Sequence, residues 1–239
     1  MPSVPTNMPM NGSDGLYRLL AWLSPGFPVG SFSFSHGLET AVETGAVRDC
    51  ASLEHWIGAV VTSGSGRIDA DILREAHRAA KASDVGALIA TNLRGVAFRG
   101  TAETRLETTM QGEAFLTTCR AAWPEPFLDR WAETLGSAED RVCYAAAVGA
   151  ATARANISLR RALTGYLHAM AANLVSAGLR LGIIGQTDGQ RTIAALEPVI
   201  AAAVATGARR DPDSFGGATL AVELASIAHE TLYTRLFRS

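Results

Sequence analysis

The sequence predicts an all-α fold, a single-domain bundle of roughly ten helices. Apolar residues recur at intervals of three and four from Leu16 to the end of the chain. Alternation of apolar and polar residues, the pattern of a strand, extends over more than four residues only at Val29–Ser35. The 239 residues fit one domain, because domains usually have about 100–200 residues.

The N-terminal half begins with a segment that has little to bury. Residues 1–13 contain three prolines and two asparagines, which predicts a flexible tail before a helical domain at 14–239. A short amphipathic helix follows and should end at Ser24-Pro25-Gly26. Asp49 or Ser52 is expected to cap the next helix, and Ser83 or Asp84 a later one. The predicted apolar stripes contain Leu16, Leu19, Leu20 and Leu23; then Leu53, Trp56, Ile57, Val60 and Val61; then Ile68, Ile72 and Leu73; then Val85, Leu88 and Ile89.

The C-terminal half predicts longer helices. One should cover Ala102–Ala122, with Leu106, Met110, Ala114 and Thr117 facing inward. Pro198 should kink or split another, because a proline ring clashes with the preceding turn. Small residues at Ala145–Ala153 should allow two helices to pack closely. The remaining helices are expected at Phe127–Leu135, at Val142–Arg154, from Ser158 to about Leu181, from Thr187 or Asp188 through Ile200, and through Leu220, Leu224 and Ile227 after a polar loop at Gly207–Gly217.

Composition excludes several classes of protein. The formal net charge of −2 gives no electrostatic footprint for nucleic acid or an anionic membrane. No stretch approaches the roughly 18 consecutive apolar residues of a membrane span, and the N-terminus has no apolar signal region, so the expected location is the cytoplasm. Cys50, Cys119 and Cys143 are odd in number and lack a CxxC spacing, which predicts free thiols.

Motifs for catalysis are absent from the sequence. It contains no GxxxxGK[ST] phosphate loop and no GxSxG nucleophile elbow. His229-Glu230 begins like a zinc-binding HExxH, but Tyr233 occupies the position of the second histidine. The sequence therefore predicts no catalytic residue, no metal ligands and no cofactor.

Three segments carry more polar or apolar side chains than a plain bundle needs. The first contains His36, Gly37 and Glu39 after a loop with two phenylalanines. Its glycines allow a tight turn or a close approach to another chain, and it is either a rigid loop that plugs the core or part of a polar contact surface.

The second and third segments leave a similar choice open. Gln186, Asp188, Gln190 and Arg191 lie between two long helices, where they either cap a helix or recognise a partner. The C-terminal segment keeps aromatic and arginine side chains to the end of the chain, so it either packs on the core or forms an interface anchor. Its candidate residues are Tyr233, Arg235, Leu236, Phe237 and Arg238.

These segments together resemble the UreF family of urease accessory proteins. The runs FPVGSFSFSHGLETAVETG, NLVSAGLRLGIIGQTDGQR and SIAHETLYTRLFRS occur in the family's order, and the resemblance extends from about Leu16 to Ser239. It implies an all-α protein without enzymatic activity. It also implies binding to UreD (also called UreH), recruitment of the GTPase UreG, delivery of nickel to apo-urease, and a homodimer within that assembly.

The resemblance also suggests roles for residues of the three segments. The C-terminal residues match the family's tail that becomes ordered against UreD, the four residues from Gln186 to Arg191 match a segment that faces a partner, and His36, Gly37 and Glu39 match the N-terminal signature. An alternative function is a GTPase-activating regulator that supplies an arginine to UreG in trans.

Overall fold

The structure, a computed structural model, describes residues 12–238, with side chains from residue 15 onward. This part of the chain contains eleven α-helices, two short 3₁₀ turns and no strand, which confirms the all-α class. Of the expected N-terminal tail, residues 1–11 lie outside the described residues. The helices are α1 (Gly12–Trp22), α2 (Leu38–Glu43), α3 (Cys50–Ser63), α4 (Ser65–Lys81), α5 (Val85–Ala97), α6 (Ala102–Ala122), α7 (Pro126–Ser137), α8 (Tyr144–Arg154), α9 (Leu159–Arg180), α10 (Gln186–Gly207) and α11 (Leu220–His229).

The centre of the bundle is the close packing of α4 against α8. The α8 residues from Ala145 to Ala153 are all buried, as their small size predicts. A Cβ added at Gly149 would lie 2.5 Å from the carbonyl oxygen of Leu73, so only glycine permits this approach. The two backbones therefore form a rigid core around which the other helices pack.

Local capping explains where several helices begin. Asp49 accepts a hydrogen bond from the Ser52 amide, and the Ser52 hydroxyl bonds back to the Asp49 amide, which forms a capping box. Asp84 caps α5 through the amide of Ala87. Thr101 caps α6 through the amide of Thr104. Of the alternatives predicted for each helix, Asp49 and Asp84 are the caps, and Ser52 is the third residue of α3.

The inward face predicted for α6 is wrong. Leu106 and Met110 are 47% and 40% exposed, and Thr117 is also exposed. The buried face instead carries polar and charged residues in the first half of the helix, including Glu103, Glu107, Thr108 and Gln111. Glu103, Glu107 and Thr108 find partners outside α6, which periodicity within the helix does not show, whereas Gln111 donates to Glu107 inside it.

The structure corrects part of two expectations about α10. The helix continues through Pro198, so it is not split there, and a kink stays a prediction. The helix begins at Gln186, one residue before the earliest start expected, so the polar segment from Gly185 to Arg191 forms the N-cap and first turns of α10. Because the first turn of a helix tolerates polar side chains, Gln186 and Asp188 fit there without ending the helix.

A buried set of charges fixes the chain after α10. Arg74 is 1% exposed and donates hydrogen bonds to Asp71 and to the carbonyl oxygen of Gly207. Arg210 donates to both carboxylate oxygens of Asp71 at 2.9 Å. This brace ties the end of α10 to α4 and so determines where the chain approaches α11.

Candidate functional site

The last helix, α11, faces the protein with its polar side. Its two fully buried side chains are Ser226 and His229, at 3% and 0% exposure. Its large apolar side chains Leu220, Leu224 and Ile227 are between 51% and 70% exposed. They recur at i, i+4 and i+7, so they form one outward apolar stripe. This arrangement is the reverse of an ordinary amphipathic surface helix.

His229 is the centre of the inward contacts of α11. Its Nδ1 lies 2.8 Å from Oε2 of Glu103 on α6, and its Nε2 lies 3.0 Å from Oε2 of Glu39 on α2. Nearby, the hydroxyls of Ser226 and Thr101 are 3.0 Å apart. A single histidine thus connects α11 to the beginnings of two other helices.

The residues after α11 dock on the same two carboxylates. The amides of Leu236 and Phe237 donate to Glu39 at 2.6 and 3.0 Å, and Arg235 donates to Glu103 at 2.7 Å. Phe237 is 3% exposed, and the guanidinium of Arg180 lies 4.3 Å from its ring centroid. The C-terminal segment is therefore bound to its own chain by charge-assisted hydrogen bonds and one buried ring.

The loop before α2 is shaped to fit α11. His36 and Gly37 both have left-handed backbone conformations, with φ of 53° and 73°. A Cβ at Gly37 would lie 2.7 Å from the amide nitrogen of Ser226, so the α11 backbone rests directly against this glycine. The close approach expected of these glycines occurs, and it is to the chain's own last helix.

The electrostatics of Glu39 favour the docked segment. Burial by itself raises the pKa of Glu39, but the hydrogen bonds from His229 and from the Leu236 and Phe237 amides outweigh it, so the net pKa is lowered. A carboxyl group whose pKa is lower in the folded state than in the unfolded state stabilises the fold at pH values above its ordinary pKa. This stabilisation is lost as the pH falls through the lowered, folded-state pKa. The carboxylate form of Glu39 is thus the form that holds the C-terminal segment.

A second buried charge cluster lies beside the first. His36 Nε2 is 3.1 Å from Oε1 of Glu107, which also accepts a hydrogen bond from Gln111. Asp69 pairs with Arg99 at 2.6 Å and accepts a hydrogen bond from the Tyr166 hydroxyl at 2.8 Å. Both groups line a cavity of about 300 Å³.

The ionisable side chains that line the cavity form hydrogen bonds and ion pairs with one another, and these contacts determine their protonation states. Burial and the neighbouring Asp69 raise the pKa of Tyr166 well above its ordinary value. Burial alone lowers the pKa of Arg99, but Asp69 outweighs it and the net shift is upward. Tyr166 thus stays neutral and Arg99 stays charged at neutral pH, as in a structural ion-pair network.

The pKa of His36 predicts a pH-dependent stability. Burial lowers this pKa, but the charge and hydrogen bond of Glu107 outweigh burial and raise it above 6.5. The pair therefore stabilises the fold fully below pH 6.5, and the contribution is lost as the pH rises through the folded-state pKa. We expect His36→Asn, which tolerates the left-handed backbone, to lower the free energy of unfolding by about 2 kcal/mol at pH 6.

Urea denaturation at pH 6 and pH 9 measures this effect. The difference between the parent chain and His36→Asn should shrink at pH 9. His55→Asn, at an exposed histidine, is the matched control and should change little at either pH. A His36→Asn effect of equal size at both pH values would contradict the ion-pair explanation.

The structure separates the candidate residues into inward and outward sets. His36 is buried, Glu39 is mostly buried and hydrogen-bonded within the chain, and Phe237 belongs to the hydrophobic core. Because intramolecular partners cover His36 and Glu39, the structure favours the rigid loop for this segment, and contact of these residues with a partner stays a prediction. The outward residues are Tyr233, Arg235, Leu236 and Arg238, together with Gln186, Gln190 and Arg191 at the start of α10.

Neighbouring contacts join the outward residues into larger surfaces. Arg238 Nη1 lies 3.8 Å from the sulfur of Met110, which places the C-terminal segment beside the exposed apolar residues of α6. At the start of α10, Asp188 is half-buried and pairs with Arg191 at 2.9 Å. Contact of these residues with a partner stays a prediction.

Sequence reasoning missed the most connected residue of the site. The sequence marks His229 only as the start of an incomplete zinc motif and as part of the C-terminal run, and it does not mark Glu103. One usable signal was present: His229 follows the Leu220–Ile227 stripe but lies off its face, so a histidine had to point toward whatever α11 covers. Its partners Glu39 and Glu103 are distant in sequence and could not be paired with it without the fold.

Between residues 12 and 238, no group of three or more His, Cys, Asp or Glu side chains is arranged to hold a metal ion. In the same range, no helix combines the length and the hydropathy that crossing a bilayer requires.

The fold and the site together define the class of this protein. It is an all-α protein that exposes large apolar side chains on its last helix and on the C-terminal segment that docks beside it. Exposed apolar surfaces of this kind are typical of proteins that work by contacting other proteins. A family model described as UreF matches residues 47–197, well over half of the chain. The chain belongs to the UreF family of urease accessory proteins.

Similarity to curated relatives extends over nearly the whole chain. The urease accessory protein UreF of Rhodopseudomonas palustris strain HaA2 is 46% identical over 233 residues, which cover 97% of both chains. UreF of Bradyrhizobium sp. strain BTAi1 is 45% identical over 238 residues, covering 100% of this chain and 98% of the relative. UreF of Granulibacter bethesdensis is 46% identical over 228 residues, with 95% of each chain covered. This family consists of accessory proteins and is distinct from the urease enzyme itself.

Proposed function

We propose that the chain acts in the cytoplasm as a helical scaffold in urease maturation. It binds the accessory protein UreD and recruits the GTPase UreG, and the assembly inserts nickel into apo-urease. Nickel is the cargo of the assembly in this proposal. The observation that carries it is the outward apolar stripe of α11, continued by the exposed Tyr233 and Leu236 of the docked C-terminal segment.

The exposure of this surface supports a docking role. Tyr233 is 103% exposed and Leu236 is 59% exposed, although both lie within four residues of the buried Phe237. Together with the stripe of α11, these side chains supply the exposed apolar surface that marks protein interaction sites. Burying apolar surface contributes about 25 cal/mol per Å² to binding, so covering these side chains would stabilise a complex with UreD.

Preorganisation gives the C-terminal segment its second advantage as a binding surface. Six hydrogen bonds to Glu39, Glu103 and the Ser33 carbonyl already hold residues 229–238 in one conformation. A partner that binds an ordered segment avoids the entropy cost of ordering it. The start of α10, with Gln186, Gln190 and Arg191 outward, is a separate polar surface that we assign to a second partner such as UreG.

The alternative function, donation of an arginine to UreG, has less support. Arg191 pairs with Asp188, and Arg235 pairs with Glu103. A catalytic arginine supplied in trans has to reach the transferring phosphoryl group, and both of these guanidiniums are held by acids of their own chain. The scaffold function is therefore preferred.

Reconstitution with purified components tests the proposed function. We expect the chain to form a stable complex with UreD, to recruit UreG to that complex, and to increase nickel-dependent activation of apo-urease. Size-exclusion chromatography with mass measurement detects each complex. Failure to obtain a chain–UreD complex at low and physiological salt, with or without GTP, would reject the scaffold.

A further inference from the structure

The cavity of about 300 Å³ contains a polar atom that the rest of the described chain does not use. Glu107 lines this cavity and is 6% exposed. Its Oε1 accepts a hydrogen bond from Gln111 and lies 3.1 Å from Nε2 of His36. Its Oε2 is buried and has no hydrogen-bond partner among residues 12–238. Because buried polar atoms are normally hydrogen-bonded, Oε2 indicates a place for a donor from outside the chain.

The neighbouring charged groups of the cavity are already committed to one another. One oxygen of Asp69 accepts from Arg99 at 2.6 Å, and the other accepts from the Tyr166 hydroxyl at 2.8 Å. Arg99 also donates to the carbonyl oxygen of Gly95. A ligand that enters the cavity would therefore find its open acceptor at Glu107.

The size and walls of the cavity fit a small organic molecule. The lining is mostly apolar, and the exposed rings of Phe32 and Phe98 place its mouth at the surface. The rings of Tyr144 and Tyr166 also line it, with their centroids 5.4 Å apart. Its volume equals that of about ten water molecules and lies at the lower end of the range of ligand pockets. A single bridging water would leave most of this space unused.

The lining groups also define the chemistry of the ligand. A carboxylate oxygen only accepts hydrogen bonds, so the ligand has to bring an N–H or O–H group. A donor that carries a positive charge forms the stronger hydrogen bond with a carboxylate. Aromatic faces such as those of Tyr144 and Tyr166 attract organic cations as well. The carboxylate of Glu107 would in turn repel an anionic ligand.

We propose that this cavity binds a small organic ammonium ion, whose N–H group donates to Oε2 of Glu107 and whose apolar body packs against the aromatic side chains of the walls. The inference goes beyond the proposed function, because binding requires no partner protein. Val222 and Ser226 of α11 line the same cavity, so the ligand would contact the inner side of the helix whose outward stripe is proposed to meet UreD.

Saturation-transfer NMR on the full chain alone tests the proposal, with phenethylammonium as the probe. We expect a dissociation constant of about 1 mM or lower. Phenylpropionate has a similar shape and the opposite charge, and it should bind at least about tenfold more weakly, because it cannot donate to Glu107. Equal affinity for the two ions, or no binding of phenethylammonium, would overturn the proposal.

A substitution at the acceptor identifies the group that binds the ammonium. Glu107→Gln removes the negative charge with little change in shape, and we expect the affinity for phenethylammonium to fall at least about tenfold. Glu113→Gln is the matched control, because Glu113 lies on the same helix and outside the cavity lining, and it should bind like the parent. Parent-like affinity in a Glu107→Gln chain that circular dichroism shows to be folded would contradict the assignment.

A second variant decides the matter if Glu107→Gln does not fold. Ala169 of α9 is half-buried and lines the cavity, so Ala169→Phe places a ring in the space of the ligand without removing a contact of Glu107. We expect this variant to fold and to lose binding of phenethylammonium. Ala194→Phe, at an exposed alanine of α10, should bind like the parent. Unchanged binding in Ala169→Phe would show that the ion does not occupy this cavity.

Discussion

Leu224→Asp should weaken the complex with UreD by about a hundredfold while leaving the chain folded. Leu224 lies in the middle of the outward stripe of α11 and is 54% exposed. In a covered interface the aspartate would lose its water without gaining a partner, and central interface positions cost about 3 kcal/mol when disrupted in this way. In the free chain the same carboxylate stays in water, so the free energy of unfolding should change by no more than about 0.5 kcal/mol.

Isothermal titration with UreD and urea denaturation together measure the two effects. Leu93→Asp is the matched control, because it makes the same substitution at a leucine that is 42% exposed on a different helix, α5. We expect this control to bind UreD as the parent does. If both variants bind like the parent, the α11 stripe is not the UreD surface.

Gly37→Ala should destabilise the chain by at least about 2 kcal/mol and detach the C-terminal segment. A side chain at φ of 73° costs about 1 kcal/mol of backbone strain. The added methyl group would also lie 2.7 Å from the Ser226 amide nitrogen and 3.0 Å from the Ala225 carbonyl carbon, so α11 has to move away. Overpacking of this kind adds about 1–3 kcal/mol.

Gly45→Ala isolates the strain from the clash. Gly45 has a φ of 75°, and a Cβ there meets nothing within 4 Å, so this variant should lose only about 1 kcal/mol. Thermal unfolding gives the stability of each variant, and exchange of the Phe237 amide reports on docking of the segment. Equal losses in the two variants, with Phe237 still protected, would show that the contact between Gly37 and α11 is unimportant.

Local patterns in the sequence predicted most of the helices. The stripe of Leu53 to Val61 and the cap at Asp49 are determined by interactions within about four residues, so they were predicted correctly. Periodicity failed in α6, where Leu106 and Met110 are exposed and Glu103 and Glu107 are buried. The same rule is wrong for α11, because its predicted stripe of Leu220, Leu224 and Ile227 faces away from the core.

By itself, the sequence determined the fold class, most of the helix boundaries and the family, because helix periodicity, capping and family motifs are all encoded by residues close together along the chain. Only the tertiary structure decided which side of α11 faces inward and what holds the C-terminal segment. Glu39 and Glu103 lie 190 and 126 residues before His229, and a buried histidine keeps both ring nitrogens hydrogen-bonded only where the fold brings these three side chains together.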